Sequence, residues 1–309
     1  MTFALSTHWN AYRHASGESM AEEILALGFD RIELGYDTTL DLVPGVQRMV
    51  RSGALTVDSV HGVCPVPVGV PQGHPGLFPL TSPDFRVRRA GVLHAVKTAD
   101  FALEMGARIV VLHAGRVEMK SLTGKLIDLY EQGRQYEGRY DRVKMKLVLR
   151  REKKVQKHLD HLHACLDEIL PAYGEKGVKL ALENLPSWES IPSESEMLAL
   201  AARYNGSPLA YWHDIGHGQV RENLGLINQP HWLAKLSPYT AGFHVHDVVK
   251  PAQDHLMPPR GDIDFARFRE ATGSAARLVL EPYPGTPQEQ IRAGARFLRE
   301  LWGGEQGAE

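Results

Sequence analysis

Eight short strand-like segments alternate with helical stretches along the chain, and this alternation constrains the fold more than any other feature. The clearest helical periodicity spans 155–169, where apolar residues recur in steps of four, three, four and three. Strands that alternate with helices indicate βαβ units and a parallel sheet, and eight repeats favour a closed (β/α)8 TIM barrel of the α/β class. The predicted strands are Phe3–Thr7, Arg31–Tyr36, Val57–Gly62, Arg108–Gly115, Lys179–Leu185, Leu209–His217, Thr240–Asp247 and Arg277–Pro284. The other predicted helices are Ser19–Leu27, Ala90–Met105, Glu194–Tyr204 and Pro287–Leu301.

We expect one domain over residues 1–309, because a single barrel commonly takes about 250 residues and no linker or repeat divides the sequence. Two connections are longer than usual. Residues 64–84, rich in proline and glycine, are expected to form a lid or a passive loop at the mouth of the barrel. Residues 116–151 are expected to form a partly helical insertion after strand four. The basic run at 139–157 indicates either a solvated face or a surface for an anionic ligand or partner.

Composition and charge limit the classes of partner. The formal net charge is −2, so no overall basic charge favours binding to nucleic acid or to a membrane. Cys64 and Cys165 are the only cysteines, which excludes a disulfide framework and a zinc-finger spacing. No signal-peptide pattern opens the sequence, and no apolar run approaches the roughly 18–20 residues of a membrane helix. The sequence therefore predicts a cytoplasmic protein with no membrane or nucleic-acid partner.

Acidic residues and histidines lie at the ends of four successive predicted strands, the fifth to the eighth. A charged group at the end of a buried strand is costly unless it is paired or bound to a metal. The carboxyl ends of barrel strands meet at one face, so these side chains are expected to lie close together. Three carboxylates and one imidazole favour one divalent metal ion, Mn²⁺ first, with Mg²⁺, Co²⁺ or Zn²⁺ as alternatives. The predicted ligands are Glu183, Asp214, His244 and Glu281.

Seven motifs resemble those of the xylose isomerase-like TIM-barrel superfamily, and the resemblance covers essentially all of residues 1–302. The most specific motif is HVHDVVKPAQDHLMPPRGDIDF at 244–265. The others are IELGY (32–36), SVHG (59–62), VLHAG (111–115), LALENL (180–185), HDIGH (213–217) and LVLEPYP (278–284). This superfamily groups sugar isomerases and epimerases with AP endonucleases of the endonuclease IV type. In its epimerases a Glu, an Asp, a His and a Glu hold one divalent metal, and the resemblance assigns those roles to the same four residues.

The endonuclease branch of the superfamily uses further ligands to hold three zinc ions. The resemblance places candidates for them at His61, His113, His217 and His255. An acidic ligand of that branch, expected two residues before His255, falls on Gln253, which disfavours a three-metal site. The four histidines are therefore predicted to bind substrate, although His61 and His113 could instead support the metal ligands or bind a second metal.

Two further residues of the specific motif are assigned from its sequence. Arg260 is predicted to anchor the distal end of the substrate, with a solvent-facing role as the alternative. His246 is expected to point away from His244 and either to pack in the core or to support the site.

Together these features predict a metal-dependent sugar isomerase or epimerase that acts on a sugar, a keto-sugar or an inositol derivative. Glu183 and Glu281 are predicted to exchange a proton with the carbon beside a carbonyl, through an enediolate. Three alternatives stay open: a lyase or dehydratase acting on a keto-sugar, an endonuclease IV-like phosphodiesterase acting on abasic DNA, and a non-catalytic sugar-binding barrel. Assembly into a homo-oligomer is also left open.

Overall fold

Eight parallel strands close into a barrel in a computed structural model that describes residues 1–273 and 277–303. Each strand pairs with its neighbours in chain order, and the eighth pairs with the first. All eight predicted strands are present, which confirms the TIM barrel. They are β1 (Ala4–Ser6), β2 (Arg31–Leu34), β3 (Thr56–His61), β4 (Ile109–Leu112), β5 (Lys179–Glu183), β6 (Leu209–Asp214), β7 (Thr240–Val245) and β8 (Arg277–Leu280).

Helices surround the barrel, and all five helices predicted from the sequence are among them. Residues 116–151 contain a short helix and the first part of α5, a helix of 39 residues and therefore about 58 Å long. The helices are α1 (Gly17–Ala26), α2 (Val43–Arg51), α3 (Phe85–Glu104), α4 (Thr123–Glu131), α5 (Gly138–Lys176), α6 (Glu194–Arg203), α7 (Ile215–Asn223), α8 (Gln229–Leu236) and α9 (Gln288–Gly303).

The sixth strand is shorter than predicted, because a helix replaces its last three residues. The strand ends at Asp214, and α7 begins at Ile215. The carboxylate of Asp214 accepts a hydrogen bond of 2.6 Å from the backbone N–H of His217, which is how an N-cap residue starts a helix. His217 therefore lies in the first turn of α7, one helical turn beyond Asp214.

A packed floor of side chains fills the barrel below its mouth. Its centre is Trp212, which is fully buried and packs edge-on against the ring of His244 at 5.2 Å between centroids. The neighbouring strand leaves room for this ring because it carries Gly242. A Cβ at position 242 would lie 2.3 Å from Cζ3 of Trp212, closer than any stable contact. Buried apolar side chains of several strands pack around Trp212, so they fill the barrel at this level and the functional groups described below lie above them.

Two short antiparallel ribbons lie beyond the carboxyl ends of the strands. One pairs Gly115–Arg116 with Ser190–Ile191, and the other pairs Asp247–Val249 with Gln253–Leu256. The loop at 64–84 has no helix or strand and is bonded to residues beyond β2 and β4, through Val66 N–H to the carbonyl of Thr38 and Thr81 N–H to that of Ala114. This places it beside the mouth, as expected, and its role stays a prediction.

Within residues 1–273 and 277–303, no helix is both long and apolar enough to cross a bilayer. The cytoplasmic location and the single domain over residues 1–309 stay predictions.

Candidate metal centre

The structure brings the four predicted metal ligands together at the carboxyl ends of β5–β8. Each residue offers one ligand atom, and these atoms all lie within 4.8 Å of one another. Asp214 and His244 are direct register partners on β6 and β7, while Glu183 ends β5 and Glu281 follows β8. All four side chains are buried. The parallel register of the barrel is therefore sufficient to gather a set of residues spread over almost a hundred positions of sequence.

Glu183 lies at the centre of the cluster and contacts four histidines. Its Oε2 lies 3.1 Å from Nε2 of both His61 and His113, and its Oε1 lies 3.3 Å from Nδ1 of both His217 and His244. Burial raises the pKa of this carboxyl. The positive charge of His244 and the hydrogen bonds from His113 and His217 outweigh burial, so the pKa lies well below its usual value. Glu183 is therefore held as a carboxylate.

A buried carboxylate fixes the ring of His244. Its Nε2 lies 2.9 Å from Oε1 of Glu33, whose other oxygen accepts a 2.7 Å bond from the hydroxyl of Ser59. The opposite ring nitrogen, Nδ1, lies 3.3 Å from both Glu183 Oε1 and Glu281 Oε2. A carboxylate behind a histidine is the usual way in which a metal-binding imidazole is oriented. Glu33 was missed from the sequence, although it stands in the IELGY motif as a charged residue between the apolar Ile32 and Leu34.

One carboxylate oxygen of the cluster is left without a donor. Oε2 of Glu281 is buried and accepts no hydrogen bond from the described residues, although Nδ1 of His244 lies 3.3 Å from it. Burial raises the pKa of Glu281, and the nearby charges of Glu183 and Asp214 raise it further against the opposing effect of His244. An unsatisfied buried oxygen and three crowded carboxylates are costly arrangements that a divalent cation would relieve. The donor set of three carboxylates and one imidazole suits such an ion.

The four histidines that were predicted to bind substrate surround this cluster. Burial lowers the pKa of His113 to about 4 despite the charge of Glu183. Burial also lowers the pKa of His217, but Asp214 and Glu183 outweigh it and raise the value to about 9. The ring nitrogen Nδ1 of His255 lies 3.1 Å from the backbone carbonyl of Glu281. Their roles in substrate binding stay predictions.

Arg260 is exposed, and within the described residues its side chain makes no hydrogen bond or ion pair. Its loop is held by Asp247, whose carboxylate accepts bonds of 2.7 and 3.1 Å from the N–H groups of Gly261 and Ile263. The structure thus places Arg260 on an ordered loop outside the cluster, and its contact with substrate stays a prediction.

The expected direction of His246 was wrong. Residues two apart along a strand share a face, so His246 lies on the same side as His244. Its Nε2 lies 3.0 Å from the carboxylate of Asp214, and its Nδ1 accepts a 2.8 Å bond from the backbone N–H of His255. Its ring also stacks on that of His255, with centroids 4.1 Å apart. His246 therefore contacts the predicted metal ligand Asp214 directly. This agrees with the second role expected for it, which was to support the site.

Three further groups of three residues could hold metal ions, and two of these groups share residues with the main cluster. They are His61, His113 and Glu183; His61, His244 and Glu281; and His217, His246 and His255. Both ring nitrogens of His246 already have hydrogen-bonding partners. Gln253 is exposed on the ribbon beyond β7, so no carboxylate enters from that position.

The chain belongs to the xylose isomerase-like TIM barrel family, whose model matches residues 21–301. This confirms the resemblance drawn from the motifs. The chain is also similar to an uncharacterized protein of Methanocaldococcus jannaschii, with 23% identity over 253 residues, 82% of this chain and 80% of the relative.

Solved structures of sugar epimerases share the fold. A D-tagatose 3-epimerase-like protein is 18% identical over 98% of this chain and 97% of its own, with a TM-score of 0.70. An L-ribulose 3-epimerase is 16% identical over 98% and 95%, with a TM-score of 0.71. A 3-keto-D-glucoside 4-epimerase of E. coli is 14% identical over 97% and 99%, with a TM-score of 0.68. At such identities the likeness concerns the fold.

Proposed function

We propose that this member of the xylose isomerase-like TIM barrel family is a divalent-metal-dependent sugar epimerase or isomerase that moves a proton beside the carbonyl of a ketose. The observation that carries the proposal is the convergence of Glu183, Asp214, His244 and Glu281 within 4.8 Å, with the His244 ring held by Glu33. The epimerase names of proteins with the same fold support the choice of substrate class.

These four residues would hold the metal ion, with Mn²⁺ preferred and Mg²⁺, Co²⁺ or Zn²⁺ as alternatives. A bound divalent cation would supply a Lewis acid, which stabilises negative charge on the substrate oxygens when a neighbouring carbon loses its proton. One metal ion per chain is expected, and elemental analysis of protein purified without chelator measures that ratio.

Glu183 and Glu281 would act as base and acid. Glu183 ends β5 and Glu281 follows β8, so the two strands that carry Asp214 and His244 lie between them. Their environments shift their pKa values in opposite directions, which is typical of an acid and base pair. A proton taken from one face of a carbon and returned to the other inverts that centre. His61, His113, His217 and His255 would bind the substrate hydroxyls around it.

Conversion of Glu183 or Glu281 to glutamine tests this assignment. Glutamine keeps the shape and one oxygen but cannot act as a base, so we expect each variant to lose turnover by on the order of 10²-fold or more. Wild-type protein is incubated in deuterated water with D-tagatose, D-psicose, L-ribulose and D-fructose, and deuterium at the carbon beside the carbonyl is measured by NMR. Glu168→Gln, which changes an exposed surface carboxylate, is the matched control and should behave as wild type.

Three results would contradict the assignment. Unchanged turnover in both glutamine variants would remove the acid–base roles. Turnover without solvent deuterium would indicate hydride transfer in place of proton transfer. Loss of a hydroxyl as water, or cleavage of the carbon chain, would identify the lyase or dehydratase alternative, which begins with the same proton removal.

The three additional groups of three residues, which could hold further metal ions, keep endonuclease activity as a second candidate. Three zinc ions per chain, together with metal-dependent incision of an abasic duplex, would favour it. We expect neither, because Gln253 stands where that branch has a carboxylate and the net charge is −2.

A further inference from the structure

Three polar side chains form a hydrogen-bonded chain at the mouth of the barrel, on the side away from Asp214. Nδ1 of His8 lies 2.9 Å from Oδ2 of Asp37, and the hydroxyl of Tyr36 lies 3.1 Å from Nε2 of His8. His8 follows β1, while Tyr36 and Asp37 follow β2. None of the three is a predicted metal ligand, and none takes part in the proposed proton transfer.

The backbone segments that carry His8, Tyr36 and Asp37 are held close to one another. The N–H of Gly35 donates a 2.8 Å bond to the hydroxyl of Thr7, which ties the ends of β1 and β2 together. A Cβ at position 35 would lie 2.7 Å from Oδ1 of Asp37 and 3.2 Å from the backbone nitrogen of His8. Glycine therefore allows the close approach that places the imidazole beside the carboxylate.

The hydrogen bonds among Asp37, His8 and Tyr36 leave the Tyr36 oxygen free to accept a further hydrogen bond. A carboxylate only accepts, so Nδ1–H of His8 donates to Asp37. Burial lowers the pKa of His8, but the hydrogen bond and the charge of Asp37 outweigh burial and raise that pKa. At a pH above this pKa the imidazole is neutral, and its Nε2 is an acceptor. With His8 neutral, the Tyr36 hydroxyl donates its one hydrogen to Nε2, and its lone pairs receive no hydrogen bond from the described residues. Burial, followed by the charges of Glu281 and Asp37, raises the pKa of Tyr36, so the phenol keeps its proton.

Tyr36 also lies next to the metal centre. Its ring packs edge-on against that of His61, with centroids 5.2 Å apart, and Nε2 of His61 lies 3.1 Å from Glu183. One imidazole therefore separates Tyr36 from the proposed base. The side chains of His8 and Asp37 keep 20% and 19% of their surface exposed. These hydrogen-bonded residues are therefore accessible to a small molecule at the mouth of the barrel.

We propose that Tyr36 is a specificity-determining residue whose hydroxyl, held by His8 and Asp37, accepts a hydrogen bond from a substrate hydroxyl beyond the two carbons at which the proton moves. The inference rests on the proposed function and narrows its substrate to a ketose with a free hydroxyl at that distal position. His8 and Asp37 are positioning residues, because they act through Tyr36.

A comparison of substrates and variants tests the proposal. The values of kcat/KM are measured for wild type, Tyr36→Phe and His8→Asn, using the ketose that wild type turns over best and monodeoxy analogues that each lack one distal hydroxyl. Loss of one neutral hydrogen bond typically lowers kcat/KM by up to about tenfold. We expect Tyr36→Phe to cause such a loss with the parent ketose and no further loss with one analogue. His8→Asn should cause a smaller loss with the same pattern.

The control is Tyr12→Phe, which removes the hydroxyl of an exposed tyrosine and should match wild type. Equal losses with the parent ketose and with every analogue would mean that Tyr36 has a structural role only, and would overturn the proposal. So would an unchanged kcat/KM with the parent ketose.

Calorimetric binding of the same sugars separates failure of this inference from failure of the proposed function. If a ketose binds without turnover and Tyr36→Phe weakens binding of the parent only, the proposed reaction is wrong and the role of Tyr36 stands. If no ketose binds wild-type protein, both the proposed function and the proposed role of Tyr36 are wrong.

Discussion

Replacing Glu33 with glutamine should weaken metal binding without changing any predicted ligand. Glu33 is fully buried, and its carboxylate lies 2.9 Å from Nε2 of His244 on the side of the ring opposite the metal centre. Glutamine has the same shape and keeps an oxygen that accepts the Nε2–H bond, but it removes the negative charge that makes the imidazole a stronger donor to a metal.

The size of the effect follows from this arrangement. Loss of a carboxylate behind a metal-binding histidine typically costs 10- to 100-fold in affinity, or about 1.4–2.7 kcal/mol. We expect the lower half of that range, since glutamine preserves the hydrogen bond and the position of the ring. Ser59→Ala is the matched control, because it removes the 2.7 Å bond to the other oxygen of Glu33 and leaves the charge in place. Its effect should be smaller.

Titration calorimetry with Mn²⁺ on chelator-treated protein measures the affinities, and urea unfolding checks that each variant is folded. Equal Mn²⁺ affinity in wild type and Glu33→Gln would refute the role given to this carboxylate. Absence of binding to wild type by any of the four divalent ions would instead refute the metal centre.

Two further predictions concern stability. The pKa of His217 is raised to about 9 from 6.5, so its protonated form stabilises the chelator-treated fold below pH 6.5, and up to about 3 kcal/mol is lost as the pH rises through 9. Urea unfolding between pH 6 and 9.5 should show this decline, and a decline unchanged in His217→Asn would contradict it. Glu189→Ala should cost about 1–3 kcal/mol, because the carboxylate accepts bonds from the N–H groups of Leu122 and Thr123 at the start of α4. Hydrogen exchange should rise in α4 first, and an unchanged exchange rate there would argue against that role.

The barrel could be predicted, and so could the acidic residues and the histidine at the ends of four of its strands. Both predictions depend on the local pattern of apolar and charged residues. A buried parallel strand is a continuous apolar run, and a charged residue at its end is visible in the sequence. The closed order of the strands then brings the ends of β5–β8 together without any further information. Pattern alone was therefore enough to find Glu183, Asp214, His244 and Glu281.

The supporting contacts could not be predicted, because each depends on a partner that is distant in sequence or on a single turn. Glu33 and His244 are 211 positions apart, and nothing in the sequence links them. The end of β6 was placed three residues late, since the run from Asp214 to His217 suits a strand end as well as a capped helix start. Helices α2, α4 and α8 have at most nine residues each, too few for a periodic pattern to stand out.

The fit between Gly242 and Trp212 has a consequence for how sequences of this kind can diverge. Any side chain at 242 would collide with the indole that forms the floor under His244. A smaller residue at 212 would relieve the collision, but taken alone it would leave a void beneath the site. Each single change is therefore expected to destabilise the barrel, whereas a paired change can keep this volume filled, so the two positions are expected to change jointly or not at all. In a large set of descendants, this glycine and this tryptophan should be inherited as one unit.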